Sequence, residues 1–165
     1  MFRINELEEF LQRHRSNFEL IEQNKPILSA LDAQAYYPVK QSAPTFILES
    51  DKGLLACIMS IESGRLDFKA LKQQTGFTKL KMADKENIEK KTGYKVGSIP
   101  LIGHELPCIF DDNLLAYDYV YGGTRNELIT LKIAPEDVKR LNQILYVINE
   151  KQKLEPKDYE KSEHS

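Results

Sequence analysis

Two strongly apolar runs that meet at a short turn-forming sequence constrain the fold of this 165-residue chain more than any other feature. Residues 44–50 read PTFILES and residues 53–61 read GLLACIMSI, and the DKG at their junction has the composition of a tight hairpin turn. Apolar runs of this length, bounded by turn residues, are typical of buried strands. We therefore expect the two runs to pair as a hairpin that is central to a sheet.

Several other stretches show the apolar spacing or the boundary signals of helices. NELEEFLQRH predicts an N-terminal helix with Asn5 as its N-cap, and NKPILSALDAQAYY predicts a second helix with Pro26 in its first turn. LDFKALKQQTG and DKENIEKKTG share one design, in which Asp67 or Asp84 stands near the helix start and a Thr-Gly pair ends the helix. APEDVKRLNQILYVINE predicts an amphipathic helix with Pro135 in its first turn.

Short strands are predicted between these helices, and the chain is therefore expected to be an α+β protein. The strand candidates are FELIE, TKLKMA, LPCIF, AYDYVYGG and NELITLKI. Hairpin strands interrupted by short helices indicate a mixed or antiparallel, strongly bent sheet. We expect a single domain over residues 1–150, with an N-terminal helical extension over about residues 1–39 and a charged, frayed tail over residues 151–165.

The distribution of charge bears on the partners of the chain. A formal net charge of −2 argues against indiscriminate binding of nucleic acid, which depends mainly on Lys and Arg. Between Lys69 and Lys95, however, eight lysines stand against three acidic residues. This lysine strip is either a solvated helical face or a weak contact with nucleic acid.

Signals for a membrane, a disulfide or a cofactor are lacking in the sequence. No apolar run approaches the roughly 18 residues that a membrane span needs, and the charged N-terminus is unlike a signal peptide. We therefore expect a soluble, cytoplasmic protein without a membrane partner. Cys57 and Cys108 lie in apolar stretches without the spacing of a zinc site, which favours buried structural thiols. The motifs of metal, nucleotide and serine-hydrolase sites are also missing, so no metal or cofactor is expected.

Two glycine-containing segments are the candidates for a binding site. In the first, GYKVGSIPLIGHELPC, Gly97 and Gly103 allow backbone to approach a ligand closely while Pro100 stiffens the loop between them. In the second, YGGTRNE, Gly122 and Gly123 follow a predicted strand. The two loops could border one sheet and form the walls of a pocket, or they could be ordinary connections, because turns need glycine in any case.

His104, inside the first glycine segment, is the only histidine that merits attention as a site residue. His14 lies on a charged helix and His164 in the tail, where both are expected to be solvated. For His104 two interpretations stay open: the imidazole ties the loop to a backbone carbonyl, or it contacts a ligand.

The ordered segments from GRLDFKALKQQTG through GYKVGSIPLIGHELPC to APEDVKRL resemble the YbaK/EbsC family of aminoacyl-tRNA deacylases, which is similar to the editing domain of bacterial prolyl-tRNA synthetase. The resemblance spans roughly residues 40 to 145 in one unbroken order. It implies a bent, mixed sheet surrounded by helices and the hydrolysis of mischarged aminoacyl-tRNA. The first glycine segment would then be the glycine-proline loop of the family, which lies against the aminoacyl group.

The chain also departs from the pattern of this family. Family members usually carry a lysine just before the first central strand, but APTFIL places Pro44 there, and Lys40 lies four residues upstream. The glycine-proline loop has Gly-x-x-Pro in GSIP, where many members have Gly-x-x-x-Pro. A histidine that many relatives place after the second glycine loop is missing, with Leu128 near that position. Either Lys40 swings into the site, or the chemistry proceeds without lysine.

Two hypotheses of different classes follow. The first is a trans-editing deacylase that binds the acceptor end of aminoacyl-tRNA, with Lys40 as the candidate catalytic residue. The pocket and its contacts would be formed by Gly97, Ser98, Pro100, Gly103, His104, Gly122, Gly123 and Thr124. The second is a catalytically impaired member that acts as a tRNA- or synthetase-binding module.

Overall fold

A computed structural model describes residues 3–27, 29–94 and 99–148 of the chain. In these residues the helices are α1 (Ile4–Arg13), α2 (Ala30–Ala33), α3 (Phe68–Thr75), α4 (Lys85–Thr92) and α5 (Pro135–Leu141). The strands are β1 (Phe18–Glu22), β2 (Thr45–Ser50), β3 (Gly53–Ile58), β4 (Leu80–Met82), β5 (Pro107–Asp111), β6 (Val120–Gly122), β7 (Ile129–Ile133) and β8 (Gln143–Ile148). The predicted charged tail over residues 151–165 lies outside the described residues.

The predicted hairpin is confirmed and stands inside a five-stranded sheet of order β4-β2-β3-β5-β8. Strands β2 and β3 pair antiparallel, with Thr45 opposite Ile58 and Ser50 opposite Gly53. Gly53 has a φ of 111°, which a side chain would disfavour, and its carbonyl accepts a hydrogen bond of 2.8 Å from the Ser50 hydroxyl. Strand β4 is antiparallel to β2, whereas β5 is parallel to β3 and β8 is parallel to β5. The sheet is therefore mixed, as the sequence predicts.

A smaller antiparallel sheet of order β1-β7-β6 packs beside the first. The two sheets are joined where the chain enters β2: the amide of Ala43 donates a hydrogen bond of 2.8 Å to the carbonyl of Tyr121, and Ser42 bridges to the same strand residue. This junction brings the start of the central hairpin next to the end of β6.

Both faces of the larger sheet are buried, which explains why β2 and β3 read as continuous apolar runs. Ile47 and Ile58 belong to a hydrophobic cluster on one face, and Leu48 and Cys57 to a cluster on the other. Cys57 and Cys108 are free and buried, as predicted. In the described part of the chain, none of the helices combines the length and apolarity that crossing a bilayer requires.

Helices α3 and α4 have the aspartate start and the glycine end that the sequence predicts for both. The Asp67 carboxylate accepts the amide of Ala70 at 3.0 Å at the start of α3, and the Asp84 carboxylate accepts the amide of Asn87 at 2.8 Å at the start of α4. Each helix ends at a glycine in the left-handed conformation, with φ values of 80° and 78°.

The N-terminal helix predictions need correction. Helix α1 begins at Ile4 after Arg3, so Asn5 lies inside the helix, where its side chain accepts the neighbouring amide of Glu6. The helix predicted from Pro26 is reduced to the single turn α2, and Pro26 itself is not helical. A four-residue helix gains little from intrahelical bonding, so tertiary packing of this segment decides its conformation.

The long C-terminal helix prediction is wrong in its second half, and AYDYVYGG contains only the three-residue strand β6. Helix α5 ends at Leu141, and Asn142 adopts an extended conformation while its side-chain amide donates to the carbonyl of Val138. The following QILYVI is rich in β-branched and aromatic residues and pairs parallel to β5 as an edge strand. Pairing with the open edge of the sheet therefore outweighs the helical spacing.

Candidate functional site

A cavity of about 270 Å³ lies at the junction of the two sheets. The segment Ser42–Thr45, which leads into β2, forms one wall, and the end of β6 with the following turn forms another. A third wall comes from the chain that precedes these strands, through Gln23, Ile27, Ser29, Ala33 and Tyr37. A volume of this size is at the lower end for ligand pockets and suits one small ligand group.

The two predicted glycine segments meet directly at this cavity. Gly122 and Gly123 line it together with Ile99, and the amide of Leu101 donates a hydrogen bond of 3.0 Å to the carbonyl of Gly123. A Cβ atom on Gly123 would stand 2.5 Å from the carbonyl oxygen of Ile99, which is a backbone atom. A Cβ on Gly122 would stand 2.8 Å from the side chain of Leu101. Glycine is required here because two backbones approach closely, and Ile99 from the first segment meets Gly122 and Gly123 from the second at the cavity wall.

An aromatic pair supports the N-terminal wall. The Tyr37 and Tyr121 rings stack with centroids 4.6 Å apart and planes 4° apart. Burial raises the pKa of Tyr37, and a hydrogen bond with the Ser42 side chain partly offsets this effect. Tyr37 is therefore a neutral phenol near pH 7, and its ring fixes the position of the N-terminal segment against the smaller sheet.

A buried polar pair lies at another part of the wall. The Thr130 hydroxyl donates a hydrogen bond of 2.6 Å to the Gln23 side-chain oxygen, and the Gln23 amide nitrogen donates to the carbonyls of Lys25 and Glu127. Both protons of the Gln23 amide nitrogen are donated and its oxygen accepts one hydrogen bond, so the orientation of this side chain is fixed. The pair connects the N-terminal segment to β7.

Ile61 reaches the cavity from a turn that a buried carboxylate holds in place. Asp111 is fully buried, and it accepts hydrogen bonds from the amide of Ser60 at 2.9 Å and from the hydroxyl of Ser63. It also accepts the amide and the side chain of Asn113. These hydrogen bonds anchor the turn Ile61–Ser63 to β5, of which Asp111 is the last residue.

His104 is buried and engaged with its own loop. Its Nδ1 atom accepts the amide of Leu106 at 3.0 Å, so the neutral ring carries its proton on Nε2, which lies 3.4 Å from the Cys108 sulfur. Burial lowers the pKa of His104 to about 4, against opposing effects of Asn142 and Glu105, and burial raises the pKa of Cys108 to about 12. The pair is therefore neutral near pH 7 and does not form a thiolate and imidazolium. His104 ties the loop together, through an amide rather than the predicted carbonyl, and it is not among the cavity-lining residues.

The remaining predicted site residues fall into three groups. Gly122, Gly123 and Thr124 line the cavity, and Thr124 shapes the turn because its hydroxyl donates to the carbonyl of Ile129 at 2.8 Å. Pro100 and Gly103 are described but do not line it. Gly97 and Ser98 lie outside the described residues.

Lys40 and Pro44 differ in their position relative to the cavity. Lys40 is exposed in the single turn Val39–Gln41, and the cavity lining contains Ser42 to Thr45 but not Lys40. Pro44, at the position of the family lysine, does line the cavity, and its carbonyl accepts the amide of Met59 at 3.1 Å. The cavity wall at this position therefore presents a pyrrolidine ring where the family resemblance implies an ammonium group.

The lysine strip lies apart from the cavity. Lys79 and Lys81 form ion pairs of 3.7 and 3.9 Å with Glu49, and none of the described strip lysines lines the cavity. In the described ranges no group of three His, Cys, Asp or Glu side chains is arranged to hold a metal ion.

Sequence reasoning missed the contribution of the N-terminal extension. Gln23 and Tyr37 are distant in sequence from both glycine segments, and neither belongs to a motif. Gln23 stands in the polar run EQNK and is not distinguished from its neighbours by the sequence. The convergence of Gln23 and Tyr37 depends on the junction between the two sheets, which no local pattern reports.

Comparison with known proteins identifies a matching family and structures of the same fold. The sequence profile of the aminoacyl-tRNA editing domain family matches residues 23–141. A crystal structure described as that of a candidate trans-editing enzyme for prolyl tRNA synthetase superposes with a TM-score of 0.71 at 22% identity, covering 89% of this chain and 97% of that one. The crystal structure of a hypothetical protein superposes with a TM-score of 0.75 at 22% identity, covering 86% of this chain and 96% of that one. At these identities the structures establish a shared fold.

Proposed function

The chain belongs to the aminoacyl-tRNA editing domain family, and we propose that it is a free-standing deacylase that hydrolyses the ester of mischarged aminoacyl-tRNA. The observation that carries the proposal is the compact cavity between the entry to β2 and the backbone contact of Gly123 with Ile99. We assign this cavity to the aminoacyl group. Its N-terminal wall lies within the matched family region, which begins at residue 23.

The reaction needs positioning more than strong acid or base groups. A water oxygen bonds to the ester carbonyl carbon, and the bond between that carbon and the tRNA oxygen breaks. The tRNA oxygen takes a proton, and the products are a free amino acid and uncharged tRNA. Because the ester is already activated, holding the carbonyl and the nucleophile in contact supplies most of the acceleration.

Backbone donors suit the charge that develops on the carbonyl oxygen. The amides of Ala43 and Leu101 are already used in hydrogen bonds between the walls. We assign the oxyanion contact to the amides of Gly123 and Thr124, which belong to the turn that lines the cavity. The missing Cβ of Gly123 lets the Ile99 backbone pack against this turn and hold it in place.

Selectivity in this proposal comes from the size of the cavity and from its hydroxyl groups. Apolar surface from Ile27, Ile99 and Ile129 limits the side chain that can enter. Exclusion by size discriminates by about 1–3 kcal/mol per methylene group, so one small amino acid can be preferred over a larger one. The fixed Thr130 and Gln23 pair offers oxygen atoms to the substrate amino group.

The second candidate function, a tRNA- or synthetase-binding module without hydrolysis, is favoured by one observation. Pro44 occupies the position of the family lysine and lines the cavity, whereas Lys40 is exposed and does not line it. Proline offers neither an ammonium group nor an amide proton. A chain can keep a pocket while losing its chemistry.

Release of labelled amino acid from mischarged tRNA separates the two functions. The panel includes alanine and cysteine on the proline tRNA, and binding of the uncharged tRNA is measured in parallel. The deacylase predicts release from at least one small aminoacyl-tRNA, whereas the binding module predicts tRNA binding without release. Absence of both binding and release would contradict both functions.

A further inference from the structure

A second cleft, open to solvent and about 650 Å³ in volume, adjoins the cavity. It is lined by Arg3, Ile4, Gly93, Tyr94, Arg125 and Leu128, together with the turn that follows β6. Thr124, Asn126 and Glu127 line both the cleft and the cavity. A ligand longer than an amino acid can therefore pass from the cavity into the cleft along one shared wall.

One of the two arginines of this cleft, Arg125, has an unusual backbone conformation. Arg125 has a φ of 83°, in the left-handed region that disfavours residues with a side chain. Its guanidinium carbon lies 5.8 Å from the centroid of the Tyr94 ring, and the Tyr94 hydroxyl donates to the carbonyl of Gly103 at 3.2 Å. Tyr94 is buried, so it supplies a fixed surface against which the half-buried guanidinium rests. The structure thus tolerates backbone strain and places a cation at this position.

The charged residues of the cleft differ in whether they also line the cavity. Glu127 lies in the wall shared with the cavity, next to the assigned ester, where a carboxylate can accept hydrogen bonds from ribose hydroxyls. Arg3 and Arg125 line the cleft but not the cavity, so they are available to the phosphate groups of a strand that leaves the cavity. Guanidinium groups bind phosphate through paired hydrogen bonds, which lysine cannot form.

We infer that this cleft binds the terminal ribose and phosphate of the RNA strand whose ester occupies the cavity, with Arg3 and Arg125 as the phosphate contacts. The inference rests on the proposed function, since it takes the cavity to hold the aminoacyl group. It assigns recognition of the RNA end to two arginines and not to the lysine strip, of which Lys79 and Lys81 are engaged with Glu49.

The test is a binding cycle with uncharged tRNA, which requires no hydrolysis. Fluorescence anisotropy compares intact tRNA with tRNA that lacks its 3′-terminal nucleotides, for the wild type, the double variant R3Q/R125Q and the control K69Q/K90Q. The control removes the same charge from exposed strip lysines on α3 and α4. R125K keeps the charge without the paired geometry, and it serves in place of the double variant if melting shows that R3Q/R125Q is not folded.

The expected result is specific to the RNA end. R3Q/R125Q weakens binding of intact tRNA by about tenfold, and the slope of log affinity against log salt becomes shallower by about 1.4 for two lost single-strand phosphate contacts. Binding of the truncated tRNA and binding by K69Q/K90Q stay at the wild-type level for each RNA. Equal losses for intact and truncated tRNA, or a loss confined to the lysine variant, would overturn the inference.

Hydrolysis measured on the same samples separates the two proposals. If the wild type releases amino acid and R3Q/R125Q binds intact tRNA as well as the wild type does, the cleft assignment fails while the deacylase stands. If the wild type binds neither RNA and releases nothing, the deacylase fails and the cleft assignment fails with it.

Discussion

The two ends of the segment from Ile99 to Cys108 use their special residues for different purposes. At the first end, Ile99 and Leu101 contact Gly123 through backbone atoms, and Ile99 lines the cavity. At the second end, Gly103 has a φ of 94° and His104 bonds to the amide of Leu106, away from the cavity lining. The first end shapes a ligand site, and the second closes a loop on itself. A glycine or a histidine in a loop therefore indicates function only when its neighbours in space are known.

The largest expected effect comes from Gly123→Ala, which changes the cavity end. The added Cβ would meet the Ile99 carbonyl at 2.5 Å, so one of the two backbones must move. We expect a loss of about 3 kcal/mol in the free energy of unfolding from overpacking and, in the folded fraction, a fall of about 100-fold in deacylation from the displaced wall. Urea unfolding and single-turnover release measure the two effects.

Gly76→Ala is the matched control for that change. Gly76 has a φ of 80° and open space around its Cβ position, so the substitution should cost about 1 kcal/mol of strain and leave deacylation unchanged. Equal losses of deacylation in the two variants would show that the contact between Gly123 and Ile99 has no special role.

His104→Gln addresses the second end of the segment, through the dependence of stability on pH. Burial lowers the pKa of His104 in the folded protein to about 4. As the pH falls, the unfolded chain therefore protonates this imidazole near pH 6.5, whereas the folded protein protonates it only near pH 4. The stabilisation is present above pH 6.5 and is lost as the pH falls toward 4. From pH 7.5 to pH 5 the wild type should lose about 2 kcal/mol of unfolding free energy that the variant does not lose.

Urea unfolding of both proteins at the two pH values measures this difference, and the other titrating groups cancel in the comparison. Deacylation by His104→Gln at pH 7.5 should match the wild type, because the ring does not line the cavity. Parallel pH dependences of stability, or a large loss of deacylation in a stable variant, would contradict the assignment of His104 to loop closure.

Ile61→Trp narrows the cavity without disturbing the interior. Ile61 is 40% exposed and lines the cavity, so the larger side chain can be accommodated at the surface while it obstructs entry. We expect kcat/KM for the preferred aminoacyl-tRNA to fall by about tenfold with little change in stability. Met82→Trp, at a residue that is 46% exposed and outside the cavity lining, is the matched control and should keep wild-type kinetics.

The smallest effect is expected for Lys40→Ala. Lys40 is exposed and does not line the cavity, so its removal should change the deacylation rate by no more than about twofold. A lysine that takes part in proton transfer would cost about 100-fold or more. Single-turnover release distinguishes these values, with Lys52→Ala in the exposed hairpin turn as the control. A large loss in Lys40→Ala alone would place the lysine in the mechanism.

Much of the fold could be predicted because its signals are local. The hairpin of β2 and β3 follows from two apolar runs around DKG, and the limits of α3 and α4 follow from an aspartate at one end and a glycine at the other. The prediction failed at QILYVI, where the edge of β5 offers backbone hydrogen bonds that a helix pattern does not reveal. The prediction of a long helix after Pro26 also failed, because only the single turn Ala30–Ala33 is helical there.

The site could be predicted only where it depends on glycine. Gly122 and Gly123 are visible in the sequence as a pair after a strand, and they do line the cavity. Gln23 and Tyr37 are not visible in this way, because their role arises from the packing of the N-terminal segment against the smaller sheet. Long-range contacts of this kind leave no spacing pattern in a single sequence.

The most direct test of the central claim is the release of amino acid from a panel of mischarged tRNAs by the wild type and by Ile61→Trp. If the cavity holds the aminoacyl group, the wild type releases at least one small amino acid, and Ile61→Trp slows that release by about tenfold while it binds uncharged tRNA normally. Measurable tRNA binding with no release from any member of the panel would contradict the deacylase and favour a recognition module. Release that Ile61→Trp leaves unchanged would show that the ester is cleaved elsewhere on the protein.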